Sequence, residues 1–407
     1  MTQNPSETAR SIPSALGLSA DAGQISKTIG YYVAFVSLGL AGAVLGPTLL
    51  GLAEHTHSRR DEISFLFVAN SLGYLAGSLI GGRLYDRVPG HPVMAAALIF
   101  VAVTLALAPI APLLWLLAGV FLLLGLVTGA LDVGGNTLLV WVHGHRVGPF
   151  MNGLHFFWGL GAFLAPIIIA LVIGSSGDIT WAYWMLAVLM LPVIAGLLRL
   201  PSPVPQPSSQ VSESKRANHL LLVILIASFL FLYVGAEGSL GGWIFTYTVA
   251  LRLSSETAAA YLTSAFWGSL TAGRLLAIPI AARLQPRSVL LIDLAGCLIS
   301  MGIILLWPRS LAAVWIGAIG TGLSMASIFP TTLSLAESRL HITGQMTSWF
   351  FVGSSLGGMT VPWIIGQLFE PVGPFATMMT ITTALALMVG VFVAMMLAAR
   401  KAMAEPE

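Results

Sequence analysis

The sequence predicts an all-α membrane protein with twelve transmembrane helices arranged as two six-helix bundles. Three observations predict it: too little charge for a water-exposed surface, twelve apolar runs of membrane-crossing length, and a repeat relating the first six runs to the second six. Of 407 residues, 57% are hydrophobic and 8% charged, against roughly a quarter charged in a soluble domain. With a mean hydropathy of +0.91, the chain lacks the polar side chains to cover a surface in water, and the bilayer is the solvent that remains.

A helix crossing the hydrocarbon core uses about 20 apolar residues, so twelve crossings take roughly 240 to 290 and leave the rest for short loops and tails. The runs begin near Ile29, Ile63, Pro92, Pro112, Phe150 and Trp181, then near His219, Thr257, Ser288, Leu311, Gly344 and Phe375. This divides the chain into a tail (1–28), a first bundle (29–200), a linker (201–218), a second bundle (219–399) and a short tail (400–407). The linker is rich in Pro, Ser and charge, the composition of a flexible connector. Met1 to Lys27 has no apolar core of a signal peptide. The single cysteine, Cys297, lies in an apolar stretch and reads as a buried, inert thiol.

Lys and Arg are distributed unevenly over the loops. With an even number of spans both tails share one side, and that side collects Arg10, Lys27, Arg83, Arg87, Arg146, Arg199, Lys215, Arg216, Arg283, Arg287, Arg339, Arg400 and Lys401. Only Arg59, Arg60, Arg252 and Arg309 stand opposite, while Arg274 falls inside span 8. The positive-inside rule then expects both termini and the linker in the cytoplasm. A net charge of +2, with no run of five or more like charges, points away from nucleic acid.

The chain also matches itself at an offset of 196 residues. Gly39 meets Gly235, Gly42 meets Gly238, Gly46 meets Gly242, Gly77 meets Gly273, Gly148 meets Gly344 and Gly161 meets Gly357, with Arg87 on Arg283 and Pro166 on Pro362. One gap-free register serves spans 1, 2 and 5 against spans 7, 8 and 11, the mark of a duplicated unit. The loop after span 2 reads Gly82-Arg83-Leu84-Tyr85-Asp86-Arg87-Val88-Pro89-Gly90-His91. With the six-plus-six parallel repeat, it resembles the major facilitator superfamily, whose loop motif is G-x-x-x-D-R-x-G; one residue is inserted here before Gly90. The resemblance implies that Asp86 and Arg87 latch the ends of the two halves, where an ordinary solvated turn is the plainer alternative. It also implies a substrate site near the midplane between halves that rock around it.

A charge at the centre of a membrane helix costs roughly 2.5 to 3.5 kcal/mol on insertion scales, so intramembrane ionisable groups are functional candidates. Asp132, Glu237, Arg274 and Asp293 qualify. Thr128, Asp132 and Asn136 recur every four residues and share one face of span 4, a carboxylate flanked by a hydroxyl and an amide that suits a proton or a small cation. His155 and Trp158 in span 5 point the same way and suit a sugar, apolar on its faces and hydroxylated on its rim. Tyr233 and Glu237 share a face of the glycine-rich span 7. Trp243 and Tyr247 lie further along it, placed either to close over a ligand or to join the interfacial aromatic belt. Arg274 and Asp293 sit at equal depth on consecutive spans and read as a structural ion pair. Asn70 and Trp349 are further lining candidates, with Tyr74, Ser324, Gln345, Ser348 and Ser354 behind them.

These segments, Leu131 to Asn136, His155 to Ala162, Tyr233 to Glu237 and Gly242 to Tyr247, resemble one branch of the superfamily, the sodium-dependent glucose transporters and related fucose permeases. The permeases' acid-x-x-x-Asn pair in span 4 is matched by Asp132 and Asn136, which implies a coupling role for Asp132. Their sugar-contacting Gln and Asn of span 5 fall on His155 and Trp158, and their span-1 aspartate falls near Ala43, so Glu237 is the candidate second carboxylate.

The expectation is a secondary active transporter of a bacterial inner membrane or plasma membrane, moving a polyhydroxylated solute, a hexose above all, by sodium- or proton-coupled symport. Asp132, Asn136, Thr128 and Glu237 would serve the cation. His155, Trp158, Asn136, Glu237, Trp243, Tyr247, Tyr233, Asn70 and Trp349 would serve the sugar. The alternatives are a proton-coupled exporter of amphipathic compounds and a sugar-binding membrane sensor that moves nothing. No cofactor or metal is expected beyond the coupling ion. An enzyme is not expected, since no metal-spaced His/Cys cluster, nucleophile elbow or phosphate loop is present.

Overall fold

The computed structural model describes residues 22–204, 220–337 and 344–404. Most of the expected linker and tails, and the side chain of Gln345, lie outside the described residues. The described chain folds as α1 (Ala22–Gly42), α2 (Leu45–His55), α3 (Arg60–Ile63), α4 (Phe65–Tyr85), α5 (Gly90–Leu107), α6 (Leu114–His143), α7 (Gly148–Ser176) and α8 (Ile179–Leu198). After the linker come α9 (Leu220–Ala250), α10 (Glu256–Ala281), α11 (Pro286–Leu306), α12 (Leu311–Met325), α13 (Ile328–Glu337), α14 (Gly344–Val372) and α15 (Phe375–Ala404).

These helices make the twelve spans. Among the described residues nine helical segments are long and apolar enough to cross a bilayer, ten when α1 and α2, bent by 43°, count as one span. The other two, α10 with 26 residues and α14 with 29, are as long but less apolar. Two spans are broken. Pro47 in the first turn of α2 has no N–H to bond back to Ala43, and the chain bends there. Span 10 breaks between Met325 and Ile328. In the short turn before α8, Asp178 accepts the Thr180 N–H at 2.8 Å, which caps the helix and holds its carboxyl below the usual carboxylate range.

The glycine repeat has a structural counterpart. A Cβ on Gly39 of α1 would overlap the Trp158 carbonyl of α7, and one on Gly161 of α7 would overlap the Val36 carbonyl of α1. At the paired positions, Gly235 of α9 lies against Val361 and Gly357 of α14, and Gly357 against the Phe231 carbonyl. Likewise Gly77 seats α4 on α6 at Leu126, and its counterpart Gly273 seats α10 on α12 at Leu323 and Ala326. In lipid, helices associate through close backbone packing rather than hydrophobic exclusion, and at each of these positions a Cβ would overlap the partner helix, so the crossing requires glycine there.

The two six-helix bundles meet closely at the end opposite the basic loops. There Trp243 of α9, fully buried, stacks between Phe67 of α4 (5.9 Å) and Phe369 of α14 (5.4 Å). Arg60 pairs with Glu370 at 3.1 Å and lies over the Phe369 ring, and Gln367 donates to the Asp61 carbonyl at 2.9 Å. Gly46 of α2 abuts the backbone of Gly241 and Gly242. We call this the sealed end. At the basic end Asp86 and Arg87 are exposed, and among the described residues neither makes an ion pair. Between the two ends, α7 packs against α10.

Candidate functional site

The first polar cluster is built by the α4–α6 contact. Gly73 and Gly77 on one helix and Gly125 and Gly129 on the other bring the backbones together, and this delivers Tyr74 to Asp132. The Tyr74 hydroxyl donates to Asp132 Oδ2. Asn136 Nδ2 donates to Oδ1 at 3.0 Å and to the Asp132 carbonyl at 2.9 Å. Each carboxylate oxygen is thus held by a neutral donor, and among the described residues Asp132 has no basic partner. Thr128 lies on the expected face but is buried and turns its hydroxyl back to the Leu124 and Gly125 carbonyls at 2.8 and 3.0 Å, which commits its proton to its own helix and leaves only the oxygen lone pairs for a ligand.

The second cluster gathers around Glu237, near the middle of α9. Tyr233 OH stands 3.1 Å from Glu237 Oε1 and 3.2 Å from the Met325 carbonyl at the break in span 10. Arg274 Nη2 lies 3.9 Å from the same Oε1. Its Nη1 donates to the His155 carbonyl at 3.3 Å, and its guanidinium covers the Trp158 ring at 5.5 Å. Trp267 meets Trp158 edge-on at 5.6 Å, and Phe35 meets the His155 ring at 6.2 Å. Arg274 therefore joins the second bundle to the first.

The expected Arg274–Asp293 pair is not formed. Gly273 seats α10 on α12, and α10 packs far more on α12 and α7 than on α11, so Arg274 turns toward α7 and α9. Asp293, buried on α11, instead accepts from Ser327 Oγ at 2.5 Å. Trp243 and Tyr247 also leave the expected site. Trp243 is in the seal with its indole N–H on the Pro362 carbonyl at 3.0 Å, and buried Tyr247 donates to the Pro308 carbonyl at 3.3 Å. Trp349 is 56% exposed and Ser354 is bonded to the Phe350 carbonyl. Asn70 lies half-buried one turn from Tyr74 on α4.

The two clusters stand at different depths. Ser71 of α4 and Val234 of α9 both face Gly358, at 3.6 and 3.5 Å from where its Cβ would be, and so mark a common level. Tyr74 is a turn toward the basic end and Glu237 a turn toward the sealed end, which at about 1.5 Å per residue separates them by roughly 9 Å along the axis. That is room for a small ion at one level and a larger solute at the other.

Magnitudes distinguish the two carboxylates. Opposite charges about 4 Å apart gain about 4 kcal/mol at an effective dielectric near 20, while desolvating each ion costs several kcal/mol. The Glu237–Arg274 pair, with side chains 13% and 24% exposed, is therefore close to break-even and easily exchanged for other partners. What sequence reasoning ranked too low is Tyr74, and what it misplaced is Arg274. The glycines flanking Tyr74 and those preceding Asp132 are the signal that would have joined the first pair.

Residues 31–362 match the family model for the major facilitator superfamily. The chain is 33% identical over 374 residues to sodium-dependent glucose transporter 1A of Mus musculus, covering 83% of this chain and 88% of that protein. It is also 33% identical over 371 residues to human sodium-dependent glucose transporter 1, covering 82% and 72%. Among solved structures, the nucleoside transporter NupG superposes with a TM-score of 0.72 over 93% of this chain and 99% of that one, at 13% identity. A bacterial homologue of the human lysosomal transporter Spinster gives 0.71 over 94% and 98%, at 10% identity. At those identities the structures speak for the fold alone.

Proposed function

The chain belongs to the major facilitator superfamily, a transporter rather than an enzyme, and from that premise we propose that it is a hexose symporter driven by sodium. The observation that carries the proposal is Asp132. It is a membrane carboxylate held on both oxygens by neutral donors, with no basic residue to balance it among the described residues. An oxygen-donating, negatively charged site is what a hard monovalent cation requires, and the names of the relatives point to sodium and glucose. In this proposal Tyr74 and Asn136 position the carboxylate, while Glu237, about two turns nearer the sealed end, and His155 and Trp158 on α7 take the sugar's hydroxyl rim and apolar face.

Bundles 29–200 and 219–399 move as the two rocking halves, joined by linker 201–218. The excess of Lys and Arg supports a reading in which the basic end, both termini and the linker face the cytoplasm of an inner or plasma membrane. The sealed end is then the outer one, closed in this arrangement, and alternating access would open it in turn with the basic end. Cation and sugar drive the cycle only if each binds one arm better than the other.

Purified protein in proteoliposomes, given an inward sodium or proton gradient and a panel of radiolabelled hexoses, tests the proposal. Sodium-driven accumulation of at least one hexose is expected. Accumulation driven by protons alone would replace the ion, and resistance to hydrophobic cations without any sugar flux would replace the substrate class with amphipathic compounds.

A further inference from the structure

Arg274 has a set of contacts that a purely structural charge would not need. Its guanidinium lies on the Trp158 ring at 5.5 Å, reaches the His155 carbonyl at 3.3 Å and stands 3.9 Å from Glu237. Those are three of the groups assigned above to the sugar, and two of them belong to the other bundle. The hydrogen bond and the ion pair are long for their type, and the side chain keeps 24% of its surface exposed. The arginine is held in place without being locked there. Planar, always charged and able to stack, guanidinium combines in one group the hydrogen bonding and ring contact that a hexose would otherwise provide.

We propose that Arg274 is the occupant of the solute site in the empty carrier, a positioning residue that ties α7 to α10 and neutralises Glu237 so that the unloaded protein can reverse. This rests on the sugar-transport reading. A symporter must return empty after each delivery, and a cavity with two uncompensated carboxylates resists closing around them. With Arg274 on Glu237, one of those two carboxylates is balanced and Asp132 is left for the cation. When sugar arrives it takes the Trp158 face and the Glu237 oxygen, and Arg274 swings aside.

The proposal separates two fluxes that a direct sugar ligand would change together. Sugar exchange, or counterflow, uses only the loaded carrier, whereas net uptake also needs the empty return. In Arg274→Gln, net uptake should fall at least about tenfold while counterflow stays within about twofold of wild type and half-saturating sugar does not rise. Arg274→Lys keeps the charge but not the planar fork, and should show the same split in weaker form; it also serves if the Gln variant folds poorly. A fall in both fluxes together would make Arg274 a sugar ligand, and a fall in neither would make it passive; either overturns the proposal.

A readout free of sugar keeps this apart from the substrate assignment. Spin labels on Asn152→Cys and Ala277→Cys, with Cys297 replaced by Ala, report the α7–α10 spacing. Without solute the distribution should be narrow with Arg274 present and broad in Arg274→Gln. If wild type shows no hexose counterflow but the labels respond as stated, the sugar reading has failed and the tether stands. If the distributions are alike, the tether has failed.

Discussion

Asp132 and Glu237 are both carboxylates near the middle of a membrane helix, both touched by a tyrosine, yet they are built into different circumstances. Asp132 is held within one bundle by Tyr74 and Asn136, both neutral. Glu237 has Tyr233 from its own helix and, at 3.9 Å, an arginine that also reaches across to the other bundle. A charge held by neutral donors stays available to a cation, while a charge already facing a guanidinium is discounted. The difference teaches that coupling and solute recognition need not share a residue even where the sequence offers two acids in similar positions.

The comparison can be broken at its strong end first. Asp132→Asn should abolish concentrative uptake, so that internal sugar stops at the external concentration while counterflow continues; continued accumulation would remove Asp132 from coupling. Glu237→Gln should leave accumulation coupled to the cation but raise half-saturating sugar by roughly 10- to 100-fold, the ~1.5–3 kcal/mol of a hydrogen bond to a charged group. A titration of initial uptake rates reads this directly. Tyr74→Phe removes a donor that stabilises the empty Asp132 carboxylate, so half-saturating cation should fall by about tenfold, the equivalent of ~1.4 kcal/mol. A rise instead would show that the Tyr74 oxygen is itself a cation ligand. The smallest effect belongs to Thr128→Ala, expected within about twofold of wild type in both titrations because that hydroxyl is buried and gives its proton to its own helix; a large rise in half-saturating cation would show that its oxygen is a cation ligand.

Much of the architecture was legible because membrane helices leave few ways to be stable. Apolar length marks a span, and a glycine at a crossing point is demanded twice over when the partner backbone also lacks a side chain. That is why the offset of 196 found Gly39 with Gly235 and Gly161 with Gly357, two copies of one contact. The polar site was legible only in part. Asp132 and Asn136 share a helix face, so their contact follows from spacing alone. Tyr74 reaches Asp132 from another helix, and Arg274 was assigned to Asp293 because their helices are consecutive. Neighbours in the chain are not neighbours in the bundle: α10 is seated on α12 by Gly273, which sends Arg274 elsewhere. Trp243 shows the same limit. Its position suited a lid or an aromatic belt, and only its place between Phe67 and Phe369 identifies it as part of the seal.

The division of labour between the two carboxylates is tested most directly by equilibrium binding of radiolabelled hexose to purified Asp132→Asn and Glu237→Gln across a sodium titration. The account predicts that sugar binding by Asp132→Asn is independent of sodium, while Glu237→Gln binds more weakly and still responds to it. Sodium dependence that survives in Asp132→Asn and vanishes in Glu237→Gln would contradict it.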